Sequence, residues 1–362
     1  MSATYSMSPS EAARRVLDAA VVAGTFTVAA VEVGSSTGPL WQDALGTLPL
    51  DPPVPAEIDT PYDLASLTKV LATTTVMMQL TAAGELQLGQ HVAAFFGDWR
   101  GADRAPVTVR DLLEHASGLP ARLVDPPPAT RREFEHDICD IPFEYPPRTR
   151  SIYSDLGFIL LGFIAEQRGR ATLARQFADI TVGLNPYNTR DSQLTFDLDV
   201  DARQRAAPTL PMEDDVRRGR MLIGEVHDSY AAALGGAAGH AGLFGTAPAV
   251  GAFARVVLRA ARGDEGLPAP FSPALVQHFI TKSAVPGSSR ALGWDTMLPS
   301  SSCGSRMSAS AFGHVGFTGT SLWIDPGRDR YFVLLTNRAY GGGTLDEMRT
   351  VRRAFHDALA DV

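Results

Sequence analysis

Ser66 and Lys69 stand three residues apart in DLASLTKVLATTTVMMQL, a stretch whose apolar, threonine-rich continuation predicts a long helix over Ser66–Ala83. At a helix start, residues i and i+3 share a face, so a hydroxyl and an ammonium at this spacing can meet. A serine hydroxyl is a poor nucleophile until its proton is removed, and a buried lysine of lowered pKa can remove it. The helix N-terminus adds free N–H groups and a partial positive charge, which suit an oxyanion. Taken alone, the spacing arises often by chance and reads more readily as an N-cap serine beside an exposed lysine. Two later pieces give it weight. Tyr153-Ser154-Asp155 precedes a helix start (YSDLGFILLGFIAE), where a tyrosine can present its phenol to a cleft, and His314-Val315-Gly316 lies on a predicted strand beside the glycine-rich GFTGT.

Other chemistry-bearing motifs are weaker. Gly34-Ser35-Ser36-Thr37-Gly38 fits the G-x-S-x-G elbow, but that motif needs a strand-to-helix turn. Here Pro39 and a strand-like LWQDAL follow, so a hairpin turn is expected. His227-Asp228 and His240 invite a zinc site or a Ser-His-Asp triad, yet no third and fourth ligands stand at sensible spacing. His240, inside GGAAGHAG, reads as lining a pocket or bonding to the glycine-rich backbone. His115 reads as a capping or packing histidine, and Trp323 and Phe332 as core. Cys139 and Cys303 form no CxxC and read as buried thiols.

The elements that must position these residues begin with a helix from Ser8, which has a capping-box partner in Glu11 and Pro9 at the first helical position. Gly24 should end it. Phe26–Val33 and Leu40–Leu45 then read as a hairpin. At the other end, Phe312–Phe317, Ser321–Asp325 and Tyr331–Asn337 read as strands, the last two joined by Pro326-Gly327-Arg328-Asp329. A final amphipathic helix spans Thr344–Ala360. These predict an α+β fold: one antiparallel sheet of about five strands built from both termini, flanked by helices, around a large, mainly helical middle region. The whole chain, 1–362, reads as one catalytic domain with an α/β lobe (about 1–60 and 290–362) and a helical lobe (about 61–289). Within the latter, Val109–His115 and Leu156–Gln167 read as helices and Ala231–Gly245 as loop. Pocket shape should depend on the segments around 121–150 and 185–220.

Composition excludes several classes. The 362 residues, 45% of them hydrophobic, can bury a sizeable core. A net charge of −8 and the absence of any long Lys/Arg run disfavour a nucleic-acid partner. No apolar stretch is long enough to span a membrane, and the N-terminus lacks a signal-peptide pattern, so a cytoplasmic protein without membrane contact is expected. Oligomeric state is not readable.

Five pieces in order now carry a resemblance: YDLASLTK (62–69), VTVRDLLEHASGLP (107–120), PPRTRSIYSDLGFILLG (146–162), GEVHDSYAAALGGAAGHAGLFGTA (224–247) and FGHVGFTGTSLWIDP (312–326). The chain resembles the serine β-lactamase and penicillin-binding-protein superfamily, in the branch of class C β-lactamases, family VIII carboxylesterases and D-aminopeptidases. The resemblance implies that Ser66 is acylated, that Lys69 holds and helps deprotonate it, and that Tyr153 is or shares the general base. It places the oxyanion hole at the backbone N–H groups of Ser66 and Phe317, with Asp155, His314, Gly316 and His240 supporting, and it implies no metal or organic cofactor. Two departures matter. Asp155 replaces an asparagine and can only accept hydrogen bonds when ionised; paired with Lys69, it would raise the lysine's pKa and favour Tyr153 as base. His314 stands where a lysine is common, which removes a fixed cation. Arg148 stands where a glycine often follows proline. The expected function is a serine hydrolase with a small-molecule ester or amide substrate, the alternatives being a β-lactamase or D-amino-acid peptidase of the same mechanism, or an inactive binding module.

Overall fold

The computed structural model describes residues 7–123, 127–184, 193–213, 215–360 and 362. Ser8 caps the helix Pro9–Val22: its hydroxyl accepts the Glu11 N–H while the Glu11 carboxylate accepts the Ser8 N–H at 2.8 Å. Gly24, at φ +77°, takes the left-handed conformation that turns the chain out of it. Among the described residues ten strands follow in chain order: β1 Val28–Ser35, β2 Gly38–Leu48, β3 Val54–Pro55, β4 Tyr62–Asp63, β5 Leu194–Thr195, β6 Phe244–Gly245, β7 Asp295–Thr296, β8 Phe312–Val315, β9 Ser321–Asp325 and β10 Arg330–Thr336. The segment after Gly34 is the expected hairpin turn, since β1 reaches Ser35 and β2 begins at Gly38.

The main sheet runs β3-β2-β1-β10-β9-β8-β7, antiparallel at every pair, with β1 from the N-terminal part registered against β10 (Ala29 opposite Thr336). It has seven strands rather than about five, because the two-residue pieces β3 and β7 extend its edges. Both faces are covered, so β1 is buried along its whole length and lacks polar–apolar alternation. Ala29, Val31 and Val33 pack with Phe332 and Leu334 against the terminal helices Pro9–Val22 and Leu345–Ala358. Val28 and Ala30 point to the other face, beneath the helix Ala247–Ala261. Glu32 shares that second face, where the Tyr331 hydroxyl donates to it at 2.7 Å. Gly251 leaves it room, since a Cβ there would fall 1.9 Å from the Glu32 carboxylate.

The middle region packs the helices Thr74–Ala82, Asp155–Gly169 and Leu173–Val182 together, beside a small sheet β4-β6-β5. Three expectations are corrected here. The long helix from Ser66 is not uniform: Ser66 lies in a turn, Lys69–Thr73 is a π-helical turn, and only Thr74–Ala82 is α-helical. Two threonines fix the wider turn, the Thr75 hydroxyl donating to the Val70 carbonyl and the Thr73 hydroxyl to Gly239 O at 2.6 Å. The helix at Val109 ends at Leu113, because His115 (φ +53°) turns the chain. Ala231–Gly245 is not all loop: Asp228 caps the helix Ser229–Ala233, and β6 closes the segment. Arg148 has φ +65°, which explains why glycine suits that position. Among the described residues no helix is long and apolar enough to cross a membrane.

Candidate active site

Ser66 is presented by a strained approach. Ala65, just before it, holds φ +47°, and the buried Asp63 carboxylate fixes it by accepting the Ala65 N–H at 2.8 Å and the His227 N–H at 2.6 Å. The Ser66 Oγ then sits 3.1 Å from Lys69 Nζ and 2.7 Å from the Tyr153 hydroxyl. Tyr153 comes from the segment leading into the helix Asp155–Gly169, whose N-cap is Ser154. Its ring is held against His115 (4.8 Å between centroids), and His115 Nδ1 accepts the Ser154 N–H at 3.1 Å. His115 is thus a packing residue, as expected, and what it packs is the tyrosine.

Lys69 is completely buried and spends all three ammonium protons: on Ser66 Oγ, on Asp155 Oδ1 at 2.7 Å and on the His240 carbonyl at 2.9 Å. Burial opposes its charge, but Asp155 and Tyr153 outweigh burial and hold its pKa above the ordinary lysine value. The Tyr153 phenol is also pushed up, by burial first and by Asp155 second, with Lys69 and the Ser66 hydrogen bond pulling the other way. Burial works against the Asp155 carboxylate as well, yet Lys69 and His240 leave its pKa lowered. At rest, therefore, Lys69 is an ammonium, Asp155 a carboxylate and Tyr153 a neutral phenol.

A second circuit braces the first. Arg122 donates to Asp155 Oδ2 at 3.3 Å and to Asp228 Oδ2 at 2.9 Å, and Asp228 Oδ1 meets His240 Nε2 at 2.7 Å. His240 lines the cavity and bonds to this aspartate rather than to the glycine-rich backbone. Arg122 carries no motif signal, because only the folded chain brings it to Asp228, 106 positions away; Asp228 stood out only in the His227-Asp228 pair, with no sign of this partner.

The opposite wall is built from backbone. The Thr318 hydroxyl donates to Asp63 O at 2.7 Å and the Thr320 hydroxyl to Leu64 O at 3.0 Å, which fixes the turn after β8 against the segment bearing Ser66. Gly316 permits this approach; a Cβ would meet Thr320 Oγ1 at 2.1 Å and Leu64 O at 2.6 Å. Among the described residues, neither the Ser66 nor the Phe317 N–H donates to a backbone carbonyl. The Phe317 ring stacks on His227 (5.3 Å) and lies 4.4 Å from the Arg338 guanidinium.

His314 is buried, and its Nδ1 lies 2.9 Å from the Val315 carbonyl, which can only accept, so Nδ1 carries the proton. Its Nε2 is left as an unpartnered buried acceptor. Burial, Arg290 and Lys69 push its pKa well below the usual histidine value, so it is neutral. The lost cation is nevertheless replaced nearby: Arg290, from the segment before β7, lies 5.4 Å from the Tyr153 ring and lines the same cavity. No carboxylate of the described residues lies within ion-pair distance of it, and nothing in its sequence context (GSSRALGW) signals a pocket residue. The cavity, about 420 Å³, gathers Ser66, Tyr153, Asp155, His240, His314, Gly316 and Phe317, with Lys69 buried behind Ser66. Arg122 and Met212 reach it from the two segments expected to shape it; 124–126, 185–192 and 214 lie outside the described residues.

Comparison with known proteins bears on the family and the fold. A family model described as Beta-lactamase matches residues 14–356. A protein of Escherichia coli (strain K12) named as a D-alanyl-D-alanine carboxypeptidase is 29% identical over 339 residues, spanning 82% of this chain and 73% of its own. Among solved structures, EstCE1, described as a hydrolase with promiscuous acyltransferase activity, superposes with TM-score 0.75 at 19% identity, covering 97% of this chain and 98% of its own. A class C beta lactamase from Rhodobacter sphaeroides superposes with TM-score 0.74 at 18% identity, covering 96% and 98%.

Proposed function

This chain belongs to the beta-lactamase family and is a serine hydrolase, and on that premise we propose that Ser66 forms an acyl-enzyme with a small carboxylic ester or amide. The observation that carries this reading is the convergence of Lys69 Nζ (3.1 Å) and the Tyr153 hydroxyl (2.7 Å) on one serine oxygen. The unengaged N–H groups of Ser66 and Phe317 beside it serve as the oxyanion hole.

The proton arithmetic follows from the charges. An ammonium and a neutral phenol cannot accept the serine proton, so the reactive form is the one in which the Lys69–Tyr153 pair has lost one proton, as phenolate beside ammonium. The phenolate takes the Ser66 proton as Oγ attacks the carbonyl, and the carbonyl oxygen becomes an oxyanion between the two N–H groups. Tyr153 then passes that proton to the leaving oxygen or nitrogen. Water attacks the acyl-enzyme, giving a proton back to Tyr153, which returns it to Ser66 Oγ as the acid departs. Lys69 stays charged throughout and stabilises the phenolate.

The experiment is turnover of a p-nitrophenyl short-chain ester by wild type and Ser66→Ala, with acylation followed by intact mass. Loss of at least about 10³-fold in kcat/KM is expected; equal turnover by both proteins would sink the reading. A second reading rests on Arg290. An unpaired guanidinium in the cavity can hold a substrate carboxylate, as a D-alanyl-D-alanine peptide or a penicillin carries. If that reading is right, Arg290→Gln raises KM for such substrates about tenfold and leaves the neutral ester unaffected.

A further inference from the structure

The N–H of Phe317 belongs to the same planar peptide as the carbonyl of Gly316, and the N–H of Ser66 to the same peptide as the carbonyl of Ala65. Both carbonyls are backed by buried donors. The Arg352 guanidinium, on the helix Leu345–Ala358, donates from Nη2 to Gly316 O at 2.7 Å and to Thr320 O at 2.9 Å. The Thr68 hydroxyl donates to Ala65 O at 2.6 Å and itself accepts the Leu243 N–H at 3.1 Å. Arg352 is 4% exposed, Thr68 is fully buried, and no carboxylate of the described residues lies within ion-pair distance of Arg352. Arg338, by contrast, donates to Phe317 O, the carbonyl of the next peptide, and so holds the loop without touching the oxyanion donor.

A donor on a carbonyl polarises its whole peptide, and hydrogen bonds in a chain strengthen one another. A charged donor acts more strongly than a neutral one. We propose that Arg352 is a positioning residue that polarises the Gly316–Phe317 peptide and sharpens its N–H toward the transition-state oxyanion, with Thr68 doing the same for the Ala65–Ser66 peptide. Arg352 also brings an unneutralised positive charge to the wall of the cavity in which negative charge develops. Burial and Arg338 lower its pKa to about 9, which still leaves it protonated near neutral pH. The inference rests on the oxyanion hole assigned above.

The two arginine-backed and threonine-backed peptides predict a loss confined to the transition state. Arg352→Gln is expected to lower kcat for a p-nitrophenyl ester about 10- to 100-fold with KM changed less than about threefold. Affinity for phenylboronic acid, whose serine adduct is a tetrahedral anion, should fall in parallel with kcat/KM. Arg352→Lys, which keeps the charge, should recover part of both. Thr68→Val should lose about tenfold in the same two quantities, and Thr68→Ser, which restores the hydroxyl, should recover them. A merely structural arginine would lower the melting temperature and leave kcat and boronate affinity of the folded protein within twofold, and that outcome overturns the proposal. Should Arg352→Gln not fold, the Arg352→Lys and Thr68→Val/Thr68→Ser measurements decide it on the same criterion. Ser66→Ala separates the two levels. If that variant stays active, the acyl-enzyme reading itself fails; if it is dead while Arg352→Gln and Thr68→Val keep kcat, only this inference fails.

Discussion

The two walls of the cleft are built on opposite principles. The helical wall consists of side-chain charges that neutralise one another, Lys69 with Asp155, Asp155 with Arg122 and Arg122 with Asp228, and Asp228 is hydrogen-bonded in turn to His240. The strand wall consists of backbone amides, a neutral His314 and two arginines, Arg290 and Arg352, for which no carboxylate partner stands among the described residues. Proton transfer needs groups whose affinities for a proton are tuned against each other, so the first wall is a tightly paired network. Stabilising a new negative charge needs dipoles and positive charge already in place, so the second leaves its positive charge uncompensated.

Breaking the pairing of the helical wall should give the largest effects. Lys69→Met is expected to cost at least about 10³-fold in kcat/KM and about 3 kcal/mol in stability, since Asp155 is left buried with only Arg122. Adding Asp155→Leu should recover much of the stability, read by urea unfolding, and none of the activity. If the double variant regains activity, the helical wall is not the proton-handling side. On the strand wall, Gly316→Ala forces a Cβ against the Leu64 backbone. The resulting shift of the oxyanion donors should cost about 10²-fold in kcat, with Tyr153 and Lys69 untouched.

Asp155→Asn tests the electrostatics more finely. Asp155 raises the proton affinity of both Lys69 and Tyr153. Removing its charge should therefore move the acid limb of the kcat/KM profile to lower pH, by about 1 to 2 units. A limb that stays in place, or moves up, would show that the pair does not control the rate.

The smallest effect concerns stability. His356, behind the strand wall, meets Ser321 Oγ at 3.3 Å, and burial together with Arg352 pushes its pKa down to about 3. Between the unfolded value near 6.5 and about 3, the unfolded chain binds a proton that the folded chain does not. Stability therefore falls as pH drops below about 6.5, by about 1.4 kcal/mol per pH unit for each such histidine. His356→Gln should flatten that slope by about one proton, measured as the unfolding free energy at pH 6.5 and pH 5.

How much of this was legible in the sequence follows the same division. Ser66, Lys69 and Tyr153 could be read by type and spacing, because a side chain announces its chemistry wherever it stands; Asp155 was read through the resemblance. The pairing of Asp155 with Lys69 was readable as well, from an aspartate in an asparagine's place. The strand wall was read less completely. His314 and Gly316 stood in a recognisable motif, whereas the role proposed for Phe317 is that of its amide, which every residue but proline has, and only the resemblance pointed to it. Arg352 carried one overlooked signal: it interrupts the buried stripe Met348, Arg352, Phe355 of an otherwise amphipathic helix. Arg290 carried none, since an isolated arginine in a loop reads as solvated. The π-helical turn was also hidden, because it depends on Thr73 reaching Gly239, a contact across 166 positions.

The registration of β1 against β10 has a kinetic meaning. Asn337 accepts the Thr27 N–H at 3.1 Å across 310 positions, and β10 then leads back through β9 and β8 to the wall that faces Ser66. Such distant contacts are slow to form, because a long loop must close before they repay its entropy. On the ribosome, the helical middle region emerges long before β8 and the helix bearing Arg352. Until those segments arrive, Ser66 lacks the strand wall, so the proposed nucleophile becomes competent only after β8 and the helix Leu345–Ala358 have been made.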